Sequence, residues 1–244
     1  MESISLTGVI DAKENRNIMT ANIPNAFIQA YMPKLENGED RVIMKITGVL
    51  INLLVKLAPD TYRPFVVFEK GKKVLYLEVL RALYEMLVAA LLWYKTLKKD
   101  LEDIGFEFNP YDPCVCNQMI NKQHTVHFHM DNLMSSHKNK EINDEFLKWL
   151  NKKYGNYGEV KANRGKSHDY LGMKFEFLKN GKVIIDIITH IIQTIDEFCE
   201  KGYKLDGTTE TPARSDLFSA SVGESLQGEK KEDFVGAYVT IKSL

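Results

Sequence analysis

Short apolar blocks, separated by polar and charged stretches, follow one another along this chain. Residues 1–17 are polar and without a clear period, which predicts a frayed or strand-like lead-in. Residues 18–31 are apolar but contain Pro24, so a strand that runs into a turn or a short helix fits them best. Residues 46–57 are apolar over a length that suits either a helix or a buried strand.

The middle of the chain carries the clearest patterns of both kinds. Residues 65–68 and 73–76 are rich in β-forming side chains around Lys70-Gly71, which predicts a hairpin. A long helix is predicted over residues 77–103, and Gly105 is typical of the position that ends a helix. The apolar residues of this segment recur at spacings of three and four: Leu80, Leu83, Leu87, Leu91 and Tyr94.

The C-terminal half alternates hairpins with a helix. Residues 114–120 and 125–130 are β-like runs joined by a short polar link, residues 141–154 are helical in pattern, and residues 170–188 predict another hairpin. Residues 203–233 are rich in Ser, Thr, Gly and charged residues, as linkers and tails are. Strands and helices that mix without regular alternation predict an α+β fold, with helices packed on one face of a mainly antiparallel sheet.

Composition limits the possible functions only loosely. The 244 residues include 32 basic and 33 acidic side chains, so a nucleic-acid site would have to be a local basic patch. Three cysteines and no signal-peptide pattern indicate a reducing, intracellular setting, cytoplasmic or nuclear. The apolar runs at 46–57 and 86–94 are too short or too interrupted to span a bilayer, which needs about 20 residues, so no membrane partner is expected.

Five short segments between residues 18 and 200 match, in order, the motifs of a known protein family. They are TANIPNAFI at 20–28, LRALY at 80–84 followed by Trp93-Tyr94, GF with YDPC between 105 and 114, FHMDNL at 128–133, and YLGM at 170–173. In order and spacing they resemble the motifs of copia-type retrotransposon reverse transcriptases. The first resembles motif A, the second motif B, the fourth the catalytic turn of motif C, and the last the strand that follows it.

The resemblance implies an architecture and a reaction. It implies a reverse-transcriptase palm-like sheet with partial, largely truncated fingers over residues 1–200. Residues 201–244 would then be a linker, or the start of a connection towards an absent ribonuclease H domain. The family's reaction is RNA-directed DNA synthesis on a template–primer, in which two magnesium ions about 4 Å apart hold the attacking and leaving oxygens. Carboxylates of motifs A and C hold those ions, because magnesium prefers anionic oxygen ligands.

This sequence departs from the family at the metal ligands. Asn22 stands at the motif A aspartate, and Asn132 stands at the second aspartate of motif C. Asp131 alone remains, as the expected metal ligand, and an amide oxygen is uncharged. Glu85 also replaces the glycine that the family places in motif B. The resemblance therefore implies a catalytic position set of Asn22, Asp131 and Asn132, in a copy that is catalytically impaired.

Other candidate residues follow from the same resemblance or from local composition. Phe27 matches the family position that screens the sugar 2′-position, and with Tyr84 it is the expected nucleotide-binding pair. One locally basic stretch has aromatic residues interleaved with its cations, and it extends through Lys161, Arg164 and Lys166. Its members Lys148, Lys152 and Lys153 are the candidate nucleic-acid contacts. The alternative interpretation of that stretch is a solvated helix face whose aromatic residues pack inward.

A zinc site is the competing interpretation of residues 114–131. Cys114 and Cys116 precede His124, His127 and His129, and zinc binds such ligands. The spacing matches no known zinc motif, and alternation around Val115 is typical of a plain strand. The sequence thus predicts a diverged reverse transcriptase domain with magnesium and nucleic acid as family ligands, and a non-catalytic nucleic-acid-binding or relic palm-like module as the alternative.

Overall fold

The computed structural model describes residues 2–33 and 41–200, which form an α+β fold with antiparallel sheets. The strands are β1 (Asn17–Asn22), β2 (Ile43–Thr47), β3 (Val66–Glu69), β4 (Lys72–Glu78), β5 (Glu107–Phe108), β6 (Val115–Ile120), β7 (Lys122–His129), β8 (Asn132–His137), β9 (Lys161–Arg164), β10 (Ser167–Tyr170), β11 (Met173–Phe177) and β12 (Val183–Asp186). The α-helices are α1 (Glu2–Glu14), α2 (Ala26–Gln29), α3 (Val49–Leu57), α4 (Pro59–Tyr62), α5 (Ala89–Asp103), α6 (Lys140–Tyr154) and α7 (Ile188–Glu200). Short 3-10 helices cover Arg63–Phe65 and Gly155–Tyr157.

The described chain divides into two compact units. The first comprises residues 2–22, 108–147 and 161–200, and the second comprises residues 23–33, 41–107 and 148–160. The predicted domain over residues 1–200 therefore contains two units. The predicted linker over residues 201–244 lies outside the described residues.

The first unit is built on a sheet in which β1 is an inner strand. The strand order is β5-β6-β7-β8-β1-β9, and β1 pairs antiparallel with both β8 and β9. Four of the six residues of β1, Ile18 to Ala21, are buried, as an inner strand requires. The predicted strand at the start of residues 18–31 and the short helix after it are both confirmed as β1 and α2.

Residues 2–14 form helix α1, so the prediction of a frayed or strand-like lead-in was wrong. The segment lacks a regular apolar stripe, and its buried positions include the polar residue Asp11 and the small residues Gly8 and Ala12. Polar contacts hold it instead: Ser136 donates to Asp11 over 2.7 Å, and Arg16 lies 3.5 Å from the same carboxylate. Tertiary hydrogen bonds therefore stabilise a helix that local periodicity does not reveal.

A second sheet of the first unit, ordered β10-β11-β12, encloses an apolar cluster. The sequence predicted one hairpin over residues 170–188, and the β11–β12 pairing confirms it. The chain also turns one step earlier, at Leu171-Gly172, where both residues have positive φ, 51° and 75°. This is the two-residue turn geometry that joins β10 to β11, and it is usual in tight hairpins.

The second unit contains the sheet β2-β4-β3 and helix α3. The predicted hairpin around Lys70-Gly71 is confirmed by the pairing of β3 with β4. Residues 46–57, which the sequence left open, end strand β2 and then form α3. Ile46, Ile51 and Leu75 make the small apolar core beneath this helix.

The helix predicted over residues 77–103 was wrong for residues 77–88. Strand β4 extends to Glu78, residues 79–88 are irregular, and α5 begins at Ala89. Leu80 and Leu87 are 66% and 102% exposed, so their spacing does not mark a buried face. Glu85 adopts a φ of 71°, a left-handed conformation that interrupts any helix.

Helix α6 matches the predicted helix over residues 141–154, with Phe146 and Leu150 buried. Helix α7 was not predicted, although its isoleucines recur at helical spacing: Ile188, Ile191, Ile192 and Ile195, all of them exposed. Within residues 2–33 and 41–200, no helix combines the length and the apolar character needed to cross a bilayer.

Candidate functional site

The end of β1 meets the β7–β8 turn in the first unit. In the antiparallel register, Asn22 is opposite Asn132, and Asn132 is also opposite His129 across the β7–β8 hairpin. The turn therefore consists of Met130 and Asp131 alone. Asn22 and Asn132 are 110 positions apart in the sequence, and they come together with Asp131 because β1 lies directly beside β8. The structure brings the predicted set Asn22, Asp131 and Asn132 into one cluster.

Hydrogen bonds close this cluster on itself. The Nδ2 of Asn22 donates to Oδ2 of Asp131 over 2.9 Å and to Oδ1 of Asn132 over 3.3 Å. The Nδ2 of Asn132 donates to Oδ1 of Asp131 over 3.2 Å. Each carboxylate oxygen of Asp131 thus accepts one amide hydrogen bond, and both amides act as donors towards it.

The orientation of the Asn22 amide follows from electrostatics. If the amide were turned over, its oxygen would face the Asp131 carboxylate, and two acceptors would lie at hydrogen-bond distance without a proton between them. The N–H donor therefore has to point at Asp131. One negative charge, neutralised in part by two amide dipoles, replaces the three charges that the family resemblance implies.

The donor set around Asp131 does not fit two magnesium ions. Magnesium needs several anionic or water oxygens in octahedral geometry, and here one carboxylate already accepts two amide hydrogen bonds. No group of three or more His, Cys, Asp or Glu side chains suited to a metal occurs among residues 2–33 and 41–200. Magnesium binding at Asp131 stays a prediction.

A pocket of about 440 Å³ adjoins the ends of β1 and β8. Asn22 and Asn132 line it, together with Lys161, which lies opposite Asn22 on β9, and with Asn163 and Asp169. Sequence reasoning placed Lys161 only in a general basic stretch and missed Asp169. Both come from β9 and β10, about 140 residues after β1, and no local pattern links them to Asn22. The pocket combines one cation, one carboxylate and three amides, which suits a polar ligand with both donors and acceptors.

The turn residue Met130 has a φ of 51°. This left-handed conformation is uncommon for a residue with a long side chain and costs about 1 kcal/mol. The strain lies directly beside Asp131. The tight β7–β8 pairing thus fixes the position of the carboxylate at an energetic cost.

Phe27 and Tyr84, the predicted nucleotide-binding pair, contact each other in the second unit. Their ring centroids are 4.6 Å apart in an edge-to-face arrangement. Phe27 is 8% exposed, whereas Tyr84 is 55% exposed. Two aromatic rings at this distance stabilise each other, and Tyr84 presents the accessible surface of the pair.

The predicted nucleic-acid lysines have different environments in the second unit. Lys148 and Lys152 are exposed on α6. Lys153 makes a 2.8 Å ion pair with Asp100, whose side chain is only 10% exposed. Lys148 and Lys152 are therefore available to a phosphate, while Lys153 would first have to leave a carboxylate.

Three of the histidines and cysteines of residues 114–131 make side-chain hydrogen bonds within the first unit: Cys116, His124 and His127. The Nε2 of His124 contacts the Ser135 hydroxyl at 2.8 Å, and the Nε2 of His127 contacts the Thr7 hydroxyl at 2.8 Å. Burial lowers the pKa of each of these imidazoles to about 4. The Cys116 thiol donates to the Val126 carbonyl, and burial raises its pKa. The zinc interpretation thus gains no ligand cluster in the described part of the chain.

Comparison with known proteins identifies a distant structural neighbour. No protein-family profile matches the chain, and no curated protein sequence matches it. A solved structure of apo telomerase from Candida tropicalis is similar to it, with a TM-score of 0.43 and 11% sequence identity. The similarity covers 76% of this chain and 36% of the telomerase chain.

Proposed function

We propose that this chain is a reverse-transcriptase palm-like module of the copia type that has lost nucleotidyl transfer. The observation that supports this proposal is the cluster at the end of β1 and the β7–β8 turn. Its three members occupy the positions that the resemblance assigns to catalysis, and they lie within 3.3 Å of one another through their side chains. An adjacent inner strand and a two-residue turn are the backbone elements that the reaction needs for its carboxylates.

The loss of activity follows from charge. Two aligned metal ions supply most of the stabilisation of the developing negative charge in this class of reaction. With amides at Asn22 and Asn132, the cluster keeps one of three formal charges. Asp131 alone would then hold a magnesium ion, and hold it weakly, so the site does not support nucleotidyl transfer.

Nucleic acid remains the proposed partner of the module. The exposed lysines Lys148 and Lys152 on α6 can each neutralise a phosphate, and Tyr84 offers an accessible ring for stacking. These contacts do not depend on metal ions. A palm-like module that holds a strand without extending it is therefore the form of the function that the residues support best.

Restoring the carboxylates tests the proposal. The double variant Asn22→Asp with Asn132→Asp, assayed by primer extension on a homopolymer template with magnesium or manganese, should extend a primer above the level of the original chain. The original chain should show none above blank. Adding Asp131→Ala to the double variant should abolish the gain, since the site would then keep carboxylates only at positions 22 and 132 and lose the one on the turn.

A matched control distinguishes a restored metal site from the mere addition of negative charge to the pocket. Asn163→Asp adds a carboxylate to the lining of the same pocket without touching the three catalytic positions, and it should not restore extension. Extension by the original chain that Asp131→Ala removes would contradict the proposed loss of activity. Silence of the double variant would implicate the truncated fingers or Glu85, whereas extension restored by Asn163→Asp would contradict the palm assignment of these three residues.

A further inference from the structure

A pocket of about 560 Å³ in the second unit has a separate chemical character from the catalytic-position cluster. It is formed by α3, the 3-10 helix at Arg63–Phe65, and strands β3 and β4. Its floor is apolar: Ile51 is 1% exposed, and Val55 and Val66 are half-buried. Pockets that bind small organic groups have volumes of this order and floors of this kind.

Three cations surround this apolar floor. Lys56, Arg63 and Lys73 line the pocket and are exposed. The lining contains no Asp or Glu. Lys73 donates to the Asn52 amide oxygen over 3.3 Å, a neutral partner that leaves its charge uncompensated.

The acidic residue of strand β3, Glu69, has partners outside the pocket. Glu69 accepts a hydrogen bond from Lys45 over 2.6 Å and one from the Tyr76 hydroxyl. These contacts favour its charged form, and they lower the pKa of Glu69 below its usual range. Because Glu69 is paired with Lys45 and does not line the pocket, the positive charge of the pocket lining stays uncompensated within the described residues.

An exposed aromatic ring completes the pocket. Phe68 lines it from β3 and is 70% exposed, which is a large apolar area to leave in water. Side chains alternate along a strand, so Val66 and Phe68 share one face of β3 and both contribute to the pocket. The pocket therefore offers a flat ring and an apolar floor beside three positive charges.

We propose that this pocket binds single-stranded nucleic acid, with phosphates on Lys56, Arg63 and Lys73 and a base against Phe68. A nucleotide strand carries charged phosphates and flat apolar rings, and this pocket offers cations for the first and an aromatic ring for the second. An acidic peptide would satisfy the cations but would leave the ring and the floor without a partner. The inference does not depend on the proposed loss of nucleotidyl transfer, since no residue of the catalytic-position cluster takes part.

Fluorescence anisotropy of a labelled oligo-dT of about 12 nucleotides tests the site on the full chain. The triple variant Lys56→Gln, Arg63→Gln and Lys73→Gln should weaken binding by about tenfold or more at low salt. It should also reduce the slope of log affinity against log salt by about 2, because each phosphate contact on a single strand contributes about 0.7 to that slope. Phe68→Ala should weaken binding by about tenfold while leaving the salt slope unchanged.

A charge-matched control decides between this pocket and general positive charge. Lys70→Gln with Lys72→Gln and Lys99→Gln removes the same charge from exposed lysines that do not line the pocket. This control should change affinity by less than about threefold. All the altered side chains are exposed, so melting temperatures of the variants should match that of the original chain.

Several outcomes would overturn the inference. They are the absence of oligonucleotide binding, equal losses in the pocket variant and the control, and loss of binding in Lys148→Gln with Lys152→Gln but not in the pocket variant. Binding of phosphatidylserine vesicles or of poly-glutamate that depends on the three cations, without oligonucleotide binding, would assign the pocket to a lipid surface or an acidic protein instead. Absence of oligonucleotide binding would also count against the proposed nucleic-acid partner of the module, whereas the other outcomes leave primer extension by the Asn22→Asp, Asn132→Asp variant as a separate test.

Discussion

The interiors of the two units are held together by different forces. In the first unit, polar side chains are buried in hydrogen-bonded chains: His124 contacts Ser135, whose hydroxyl donates to Asn143 over 2.8 Å, and Asn143 donates to the Asn17 carbonyl over 2.7 Å. In the second unit, the described interior is almost wholly apolar, and Asp100 is its one buried charged residue. The largest fully buried side chains there are all apolar: Trp93, Ile23, Ile51, Leu75, Leu97, Leu101 and Leu150.

The difference predicts different sensitivities. Apolar packing is non-directional and responds to lost volume, whereas a buried hydrogen-bond network responds to protonation and to the loss of single partners. The first unit should therefore be sensitive to pH and to single polar substitutions, and the second to cavities. Four changes test this contrast.

Truncating the apolar core of the second unit should have the largest effect. Leu75 is fully buried beneath α3, and Leu75→Ala should lower the free energy of unfolding by about 4 kcal/mol through lost burial and the cavity left behind. Leu57→Ala is the matched control, since Leu57 is 80% exposed, and it should cost less than about 0.5 kcal/mol. Urea unfolding measures both, and similar losses in the two variants would contradict the assignment of the core.

Acidification should weaken the first unit next most strongly. His124 and His127 have pKa values of about 4 in the folded chain, lowered mainly by burial, against about 6.5 in the unfolded chain. The unfolded chain binds more protons between these values, so stability is present above pH 6.5 and is lost as the pH falls towards 4. Asp11 opposes this, because burial raises its pKa to about 6, and its contribution grows as the pH falls from 6 to 3.8.

With two histidines against one carboxyl group, the net loss between pH 7 and pH 4 should be roughly 3 kcal/mol. Urea midpoints across this range measure it. Asp11→Asn removes the opposing group, so its loss over the same range should be larger than that of the original chain. A midpoint that rises on acidification would show that the histidine contribution is not the dominant one.

Removing one member of the buried network should cost somewhat less. Asn143 is fully buried, and Asn143→Ala leaves the Ser135 hydroxyl and the Asn17 carbonyl without their shared partner, at a cost of about 2 kcal/mol. Asn156→Ala changes an exposed asparagine outside the network and should be nearly neutral. If Asn143→Ala were equally neutral, the polar interior of the first unit would not contribute to its stability.

The smallest effect should come from the polar exception in the second unit. The Tyr154 hydroxyl donates to Asp100 over 2.7 Å, and burial together with this carboxylate raises the pKa of the phenol. Tyr154→Phe should cost about 1 kcal/mol, because Lys153 still pairs with Asp100. The exposed Tyr157→Phe serves as the control. A loss as large as that of Leu75→Ala would mean that the second unit, too, depends on polar contacts.

The sequence predicted some elements well because their signals were local. The β3–β4 hairpin rests on Lys70-Gly71, which adopts positive φ at both residues, and a turn of this kind is set by its own two residues. Helix α6 rests on an apolar face on which Phe146 and Leu150 are buried. The helix predicted over residues 79–88 is not formed. Leu80 and Leu87 have helical spacing but are exposed, so their spacing does not mark a packed surface.

Some residues of the candidate site could likewise be predicted from the sequence, and others could not. Asn22, Asp131 and Asn132 were predicted to meet from the order of motifs, and they do, because strand pairing brings them together. Asp169 and the pocket at Lys56, Arg63 and Lys73 were not predicted. Their members are brought together by strands and helices distant in sequence, and composition alone contains no information on such pairing.

The hydrogen bond from Asn22 to Asp131 also bears on how this cluster can change over generations. An asparagine codon becomes an aspartate codon by a single base change, so a carboxylate at either amide position is one mutation away. Yet Asn22→Asp alone would replace a donor 2.9 Å from Asp131 with a second acceptor, and like charges would repel before any ion compensates them. Either change therefore adds a repulsion that only a bound cation would relieve, so the hydrogen-bonded pair of amides resists replacement by carboxylates.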